Sequence, residues 1–88
     1  MKIKDGFVLE EVGGSYIAVA LGECAENFRG FVKMNGTGVL LWNALVSGVE
    51  DKEELITLLL NTYDVSREIA ENDVNTLINK LSDAGFIE

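Results

Sequence analysis

The hydrophobic pattern of this chain changes period once, at Asn35, and that change decides most of what the chain can fold into. Up to Met34 the apolar residues alternate with polar ones in short runs, the spacing of strands whose successive side chains point to opposite faces. "GFVLEEV" sets Phe7 and Leu9 against Val8 and Glu10, and "SYIAVAL" continues through Tyr16, Ile17 and Val19. Between them Gly13-Gly14 supplies the positive-φ residues of a tight hairpin. A polar connection, "GECAENF" at residues 22 to 28, leads to a third run, "FRGFVKM". Its alternation puts Phe28, Gly30, Val32 and Met34 on one face and Arg29, Phe31 and Lys33 on the other. Three sequential strands with short connections form a meander in the order one, two, three, which leaves strand three at an edge.

From Asn35 the apolar spacing is that of helices. Asn35 or Thr37 can cap a first helix populated by Val39, Leu40, Trp42, Ala44, Leu45 and Val46, with Gly48 placed to stop it. Asp51 stands three residues before Glu54, the spacing of a capping box, and Leu55, Ile56, Leu58, Leu59 and Tyr63 are expected to face inward. Ser66 can cap a third helix carrying Ile69, Ala70, Val74, Leu77, Ile78, Leu81 and Ala84, ended by Gly85. The tail is expected to bring Phe86 or Ile87 back onto the sheet. The 88 residues hold no proline, linker-like run or repeat, so one domain is expected. Residues 1–34 form its three-stranded antiparallel sheet and 35–88 its three helices, an α+β fold in the order β-β-β-α-α-α.

The residues that are missing restrict the chemistry. There is no histidine, and the single cysteine, Cys24, cannot form an internal disulfide, so the usual zinc, haem and non-haem iron ligand sets are absent and no metal or cofactor is expected. A Ser-His or Cys-His nucleophile pair is excluded, and no catalytic residue is expected. Cys24 lies between Glu23 and Glu26, whose charges disfavour the thiolate, and reads as an incidental loop residue. No window approaches the roughly 18 to 20 apolar residues of a membrane span, and "MKIKDGF" lacks the apolar run of a signal peptide. A cytoplasmic protein without membrane contact is the expectation.

Three features invite a functional reading and have simpler explanations. The glycines of "NGTGVLLW" follow a strand and precede a helix, as phosphate loops do, but neither G-x-G-x-x-G nor G-x-x-x-x-G-K-[ST] is met. They mark a structural corner, with Trp42 expected in the core. Glu50, Asp51, Glu53 and Glu54 suit the positive end of a helix dipole and need no acid-base role. Helices beside a small sheet raise a winged helix-turn-helix, yet residues 35 to 88 carry three bases against ten acids in a chain of net charge −8. Groove binding needs lysine and arginine to neutralise phosphates, so no nucleic-acid partner is expected.

The edge of strand three remains. An unpaired edge can accept an extended peptide, with main-chain bonds giving affinity and alternate side-chain pockets giving selectivity. Arg29, Phe31 and Lys33 give this edge the only local concentration of positive charge, with the third helix as a second wall. The same residues also fit an ordinary edge on which Lys33 deters aggregation.

The order of the features is more specific than any one of them. "GFVLEEVGGSYIAVALGE", "FRGFVKMNGTGVLLWNALVSGVEDKEELITLLLNTYDVS" and "ENDVNTLINKLSDAGFIE" together resemble, along nearly the whole chain, the PqqD-like family of RiPP precursor peptide recognition elements (coenzyme PQQ synthesis protein D-like). The points that carry the likeness are "MNGTGVLLW", "YDVS" and "DVNTLINKLSDAGFIE". The resemblance implies a winged-helix-like domain without catalytic activity. It would bind the leader segment of a ribosomally made precursor peptide as an added strand beside strand three and present it to a modifying enzyme. In the namesake pathway of PQQ biosynthesis that enzyme is a radical SAM protein; elsewhere in the family the product is a lasso peptide, a sactipeptide or another modified peptide. Carried over by position, the groove would use Arg29, Phe31, Val32, Lys33 and Met34 from the strand and Asp73, Val74, Leu77, Lys80 and Leu81 from the third helix. A monomer or weak homodimer is expected. Where the family usually has an acidic or larger polar residue after the asparagine, this chain has Gly36, which loosens the entry to the first helix. The competing expectation is an acidic winged-helix regulator or structural interaction domain that binds no leader peptide.

Overall fold

Gly13 and Gly14 take φ of 57° and 83°, the positive pair that a two-residue hairpin loop requires, and on either side of them the chain pairs with itself. The computed structural model describes residues 1–21 and 32–87. Within them run strands β1 (Phe7–Val12), β2 (Ser15–Ala20) and β3 (Val32–Met34), followed by helices α1 (Gly36–Ser47), α2 (Lys52–Thr62) and α3 (Arg67–Asp83). The sheet is antiparallel in the order β1-β2-β3, which is the expected meander with β3 at an edge. Of the third alternating run only Val32–Met34 is described as strand; Cys24, Phe28, Arg29, Gly30 and Phe31 lie outside the described residues.

The register places Phe7, Leu9, Tyr16, Ala18, Val32 and Met34 on one face of the sheet. All six belong to the core or lie against it, so this face meets the helices.

Asn35, rather than Thr37, caps α1: its side-chain Oδ1 accepts the Gly38 N–H at 3.0 Å. The cap thus forms with Gly36 as the first helical residue. The buried residues of α1 are Gly38, Leu41, Trp42 and Leu45, an i, i+3, i+4, i+7 stripe. Val46, one of the apolar residues expected to populate the helix, is 46% exposed, and Leu41, not singled out from the sequence, is 1% exposed. The run from Val39 to Val46 is apolar on nearly every side, so its spacing leaves the buried face open. Gly38 decides it, because a Cβ there would stand 2.7 Å from the Met34 Cβ. Only the glycine face of the helix can lie this close to β3.

Asp51 caps α2 by accepting the Glu54 N–H at 3.3 Å, and the Glu54 carboxylate returns to the Glu50 N–H at 2.6 Å. Leu55, Ile56 and Leu59 are buried. Tyr63, expected inward, is instead 40% exposed, because it is the C-cap residue, with φ −122° and ψ 152°, and has left the helical phase. In α3 the Ser66 Oγ accepts the Ile69 N–H at 3.2 Å, and Ala70, Val74, Leu77, Ile78 and Leu81 form the buried stripe. Ile69, also expected inward, is 51% exposed. It lies one residue before Ala70 and so on the neighbouring stripe of the helix, with Asp73, Thr76 and Lys80. Arg67 ties the two helices on the outside, its Nη2 donating to Glu53 Oε2 at 2.6 Å and its Nε to Glu71 Oε1 at 2.9 Å. The Glu53 hydrogen bond first, then that of Glu71, holds its guanidinium above its ordinary pKa.

Gly85, at φ 80°, turns the chain back toward the sheet. Phe86 then stacks on Phe7 with ring centroids 4.1 Å apart and meets the edge of Trp42 at 6.2 Å. Ile87 bridges to Ile3, and the Ile3 N–H donates to Leu45 O at 3.1 Å. The tail thus locks α3 to both the sheet and α1, as its apolar residues suggested. No helix among the described residues is long and apolar enough to cross a membrane.

Candidate functional site

The hairpin loop fixes which backbone groups of β3 are free. With a two-residue loop, Val12 and Ser15 flank the turn as a hydrogen-bonded pair. Such pairs alternate along an antiparallel ladder, so Glu10 with Ile17 and Val8 with Val19 also bond to each other. Tyr16 and Ala18 therefore turn their N–H and C=O toward β3, where their partners are Met34 and Val32. Lys33, between those two, directs its own N–H and C=O away from the sheet, onto the open edge.

Beside that edge lies a cleft of about 570 Å³. Tyr16, Lys33 and Met34 line it from the sheet, Asn35 to Gly38 and Leu41 from the start of α1, and Asp73, Thr76, Leu77 and Lys80 from α3. A second hollow of about 470 Å³ is lined by Val32, Lys33, Lys80, Asp83 and Ala84. Lys33 and Lys80 border both, so the two hollows join into one trough with β3 as one wall and α3 as the other. The α3 wall is a helical stripe: positions 73, 76, 77, 80 and 84 are three or four apart, and such residues share a face. The floor is apolar, made of the largely buried Met34 and Leu77.

The charges of the trough are uncommitted. Arg67 is engaged by Glu53 and Glu71, and the Lys52 Nζ donates to Asn75 Oδ1 at 3.1 Å. Lys33 and Lys80 have no ion-pair partner among the described residues. Both side chains are exposed.

Of the groove residues named from the sequence, the structure brings together Val32, Lys33, Met34, Asp73, Leu77 and Lys80. Val74 and Leu81 are 0% exposed and sit in the core behind the wall. Arg29 and Phe31 lie outside the described residues. The sequence reading omitted Tyr16, Leu41, Thr76 and Asp83. Thr76 and Asp83 were within reach of the three-four spacing that selected Asp73 and Lys80. Tyr16 becomes visible only once the register sets it opposite Met34.

The family described as Coenzyme PQQ synthesis protein D (PqqD) matches residues 7–87, a span that contains all three strands and all three helices. No curated protein matches the chain. Among solved structures the chain is similar to "TbiB1 in Complex with the TbiA(beta) Leader Peptide", at 22% identity and a TM-score of 0.74, covering 100% of this chain and 95% of that one. It is also similar to "Lasso peptide synthetase B1 complexed with the leader peptide", at 19% identity and a TM-score of 0.70, covering 97% of this chain and 93% of that one. At these identities the likeness is one of fold.

Proposed function

The chain belongs to the PqqD family, and on that premise we propose that it is a non-catalytic adaptor that captures the leader segment of a ribosomally made precursor peptide and presents it to a modifying enzyme. The observation that carries this reading is the outward-facing backbone of Lys33 beside a trough walled by α3. An extended peptide laid along β3 would pair its main chain with Lys33. Alternate side chains would turn inward onto Met34 and Leu77, and the others outward. The two similar structures are complexes with leader peptides, which supports the same reading.

An adaptor of this kind accelerates a reaction without taking part in it. Holding the leader while in contact with the enzyme converts a dilute encounter into an intramolecular one, whose effective concentration is set by the connecting chain. The enzyme is a radical SAM protein where the pathway is of the PQQ type, and another peptide-modifying enzyme elsewhere in the family. The protein works as a monomer or weak homodimer in the cytoplasm, with no cofactor.

The test is an anisotropy titration of a labelled synthetic leader, taken from a precursor frame to be sought among the genes neighbouring this one, against wild type and Lys33→Pro. Proline is tolerated at an edge where the N–H faces outward, so the variant should fold. It removes one main-chain donor and adds a ring at the docking line. Wild type is expected to bind saturably and the variant roughly tenfold more weakly or worse. Equal binding by the two would overturn the reading.

A further inference from the structure

The two uncommitted lysines of the trough stand on opposite sides of the line that a bound strand would follow. The register turns Val32 and Met34 toward the helices, so the Lys33 side chain rises from the outer face of the sheet. Lys80 belongs to the α3 wall, on the inner face. Consecutive residues of a strand also point to opposite faces. A strand paired with Lys33 therefore offers one side chain to Lys33 and the next to Lys80.

We propose that the trough selects an extended peptide bearing carboxylates on two adjacent residues, one set against Lys33 and the other against Lys80. The proposal rests on the strand-addition reading above and names the chemistry of its occupant. Charge complementarity carries it, since this strongly acidic chain brings to the junction of the two hollows two exposed cations that have no ion-pair partner among the described residues. The ends of the wall have the opposite sign. Asp73 and Asp83 stand seven and three residues from Lys80, roughly 10 Å and 5 Å along the helix. Acids at the peptide positions facing those ends meet like charge and are disfavoured. Between Lys80 and Asp73 the wall and floor offer Leu77 and Met34, so the inward residue two positions beyond the carboxylate that meets Lys80 should be apolar.

A phage-displayed library of random 12-residue peptides, panned against wild type, a Lys33→Met/Lys80→Met double variant and Lys33→Pro, tests the proposal. Wild type is expected to enrich peptides with adjacent Asp or Glu and an inward apolar residue two positions from one of them. The double variant should keep the apolar preference and lose the acidic one. In the best wild-type peptide, changing each acid to its amide should weaken binding up to about fivefold at low salt, with the difference shrinking at high salt. Enrichment from wild type without an acidic pair, or an acidic pair that persists in the double variant, overturns the proposal and leaves peptide capture standing. Failure of wild type to enrich any peptide over Lys33→Pro overturns strand addition itself, and the acid preference with it.

Discussion

Lys33 has two separable roles at the residue scale, because its backbone and its side chain point to different places. Its N–H and C=O supply the edge that a peptide would pair with, and its ammonium supplies charge on the outer face. Lys33→Ala should therefore keep most of the affinity for a leader peptide, losing up to about fivefold as one exposed ion pair is lost. Lys33→Pro should lose more, and the anisotropy titration reads both. Alternation alone made Lys33 and Met34 legible as the two faces of an edge. It could not say that Lys33, rather than Val32 or Met34, owns the free backbone groups. That follows from the hydrogen-bonding phase, which is set by the Gly13-Gly14 turn, 19 residues earlier.

At the scale of the element, α1 shows two glycines with opposite needs. A Cβ at Gly36 would meet nothing within 4 Å, whereas one at Gly38 would lie 2.7 Å from the Met34 Cβ. Gly36→Ala is therefore expected to stabilise the fold by about 0.5 to 1 kcal/mol, through the lower entropy cost of placing alanine in a helix. Gly38→Ala is expected to destabilise it by about 1 to 3 kcal/mol, as overpacking moves α1 or β3. Urea melts of the two variants check both signs, and a stabilising Gly38→Ala would contradict the packing described. The caps at Asn35, Asp51 and Ser66 were legible because capping is local chemistry, a short side chain reaching a free N–H three residues on. The buried face of α1 was not. In so apolar a run no period stands out, and the phase comes from the contact between Gly38 and β3.

On the scale of the whole molecule, the trough exists because the two ends of the chain hold its walls together. Phe86 stacks on Phe7 and touches Trp42, while Ile87 pairs with Ile3. Phe86→Ala should cost about 3 to 5 kcal/mol, a large part of the roughly 5 to 15 kcal/mol that keeps a domain folded. Thermal melting should show the loss, and peptide binding should fall with it as α3 comes away from the sheet. A variant that melts like wild type would show that the tail does not set the α3 wall. The order of strands and helices was readable from the single change of period. A groove between the edge and the third helix was expected, but which α3 residues line it was not fully readable, since that depends on how α3 crosses β3, which neither element encodes alone.

Amide hydrogen exchange at Lys33, with and without the synthetic leader, tests strand addition most directly. The Lys33 N–H has no sheet partner among the described residues and should exchange freely, whereas those of Val32 and Met34 are held by β2. Saturating peptide is expected to slow Lys33 by about tenfold or more and to leave its two neighbours nearly unchanged. Unchanged exchange at Lys33 under saturation, or new protection along β1 in its place, would contradict the account.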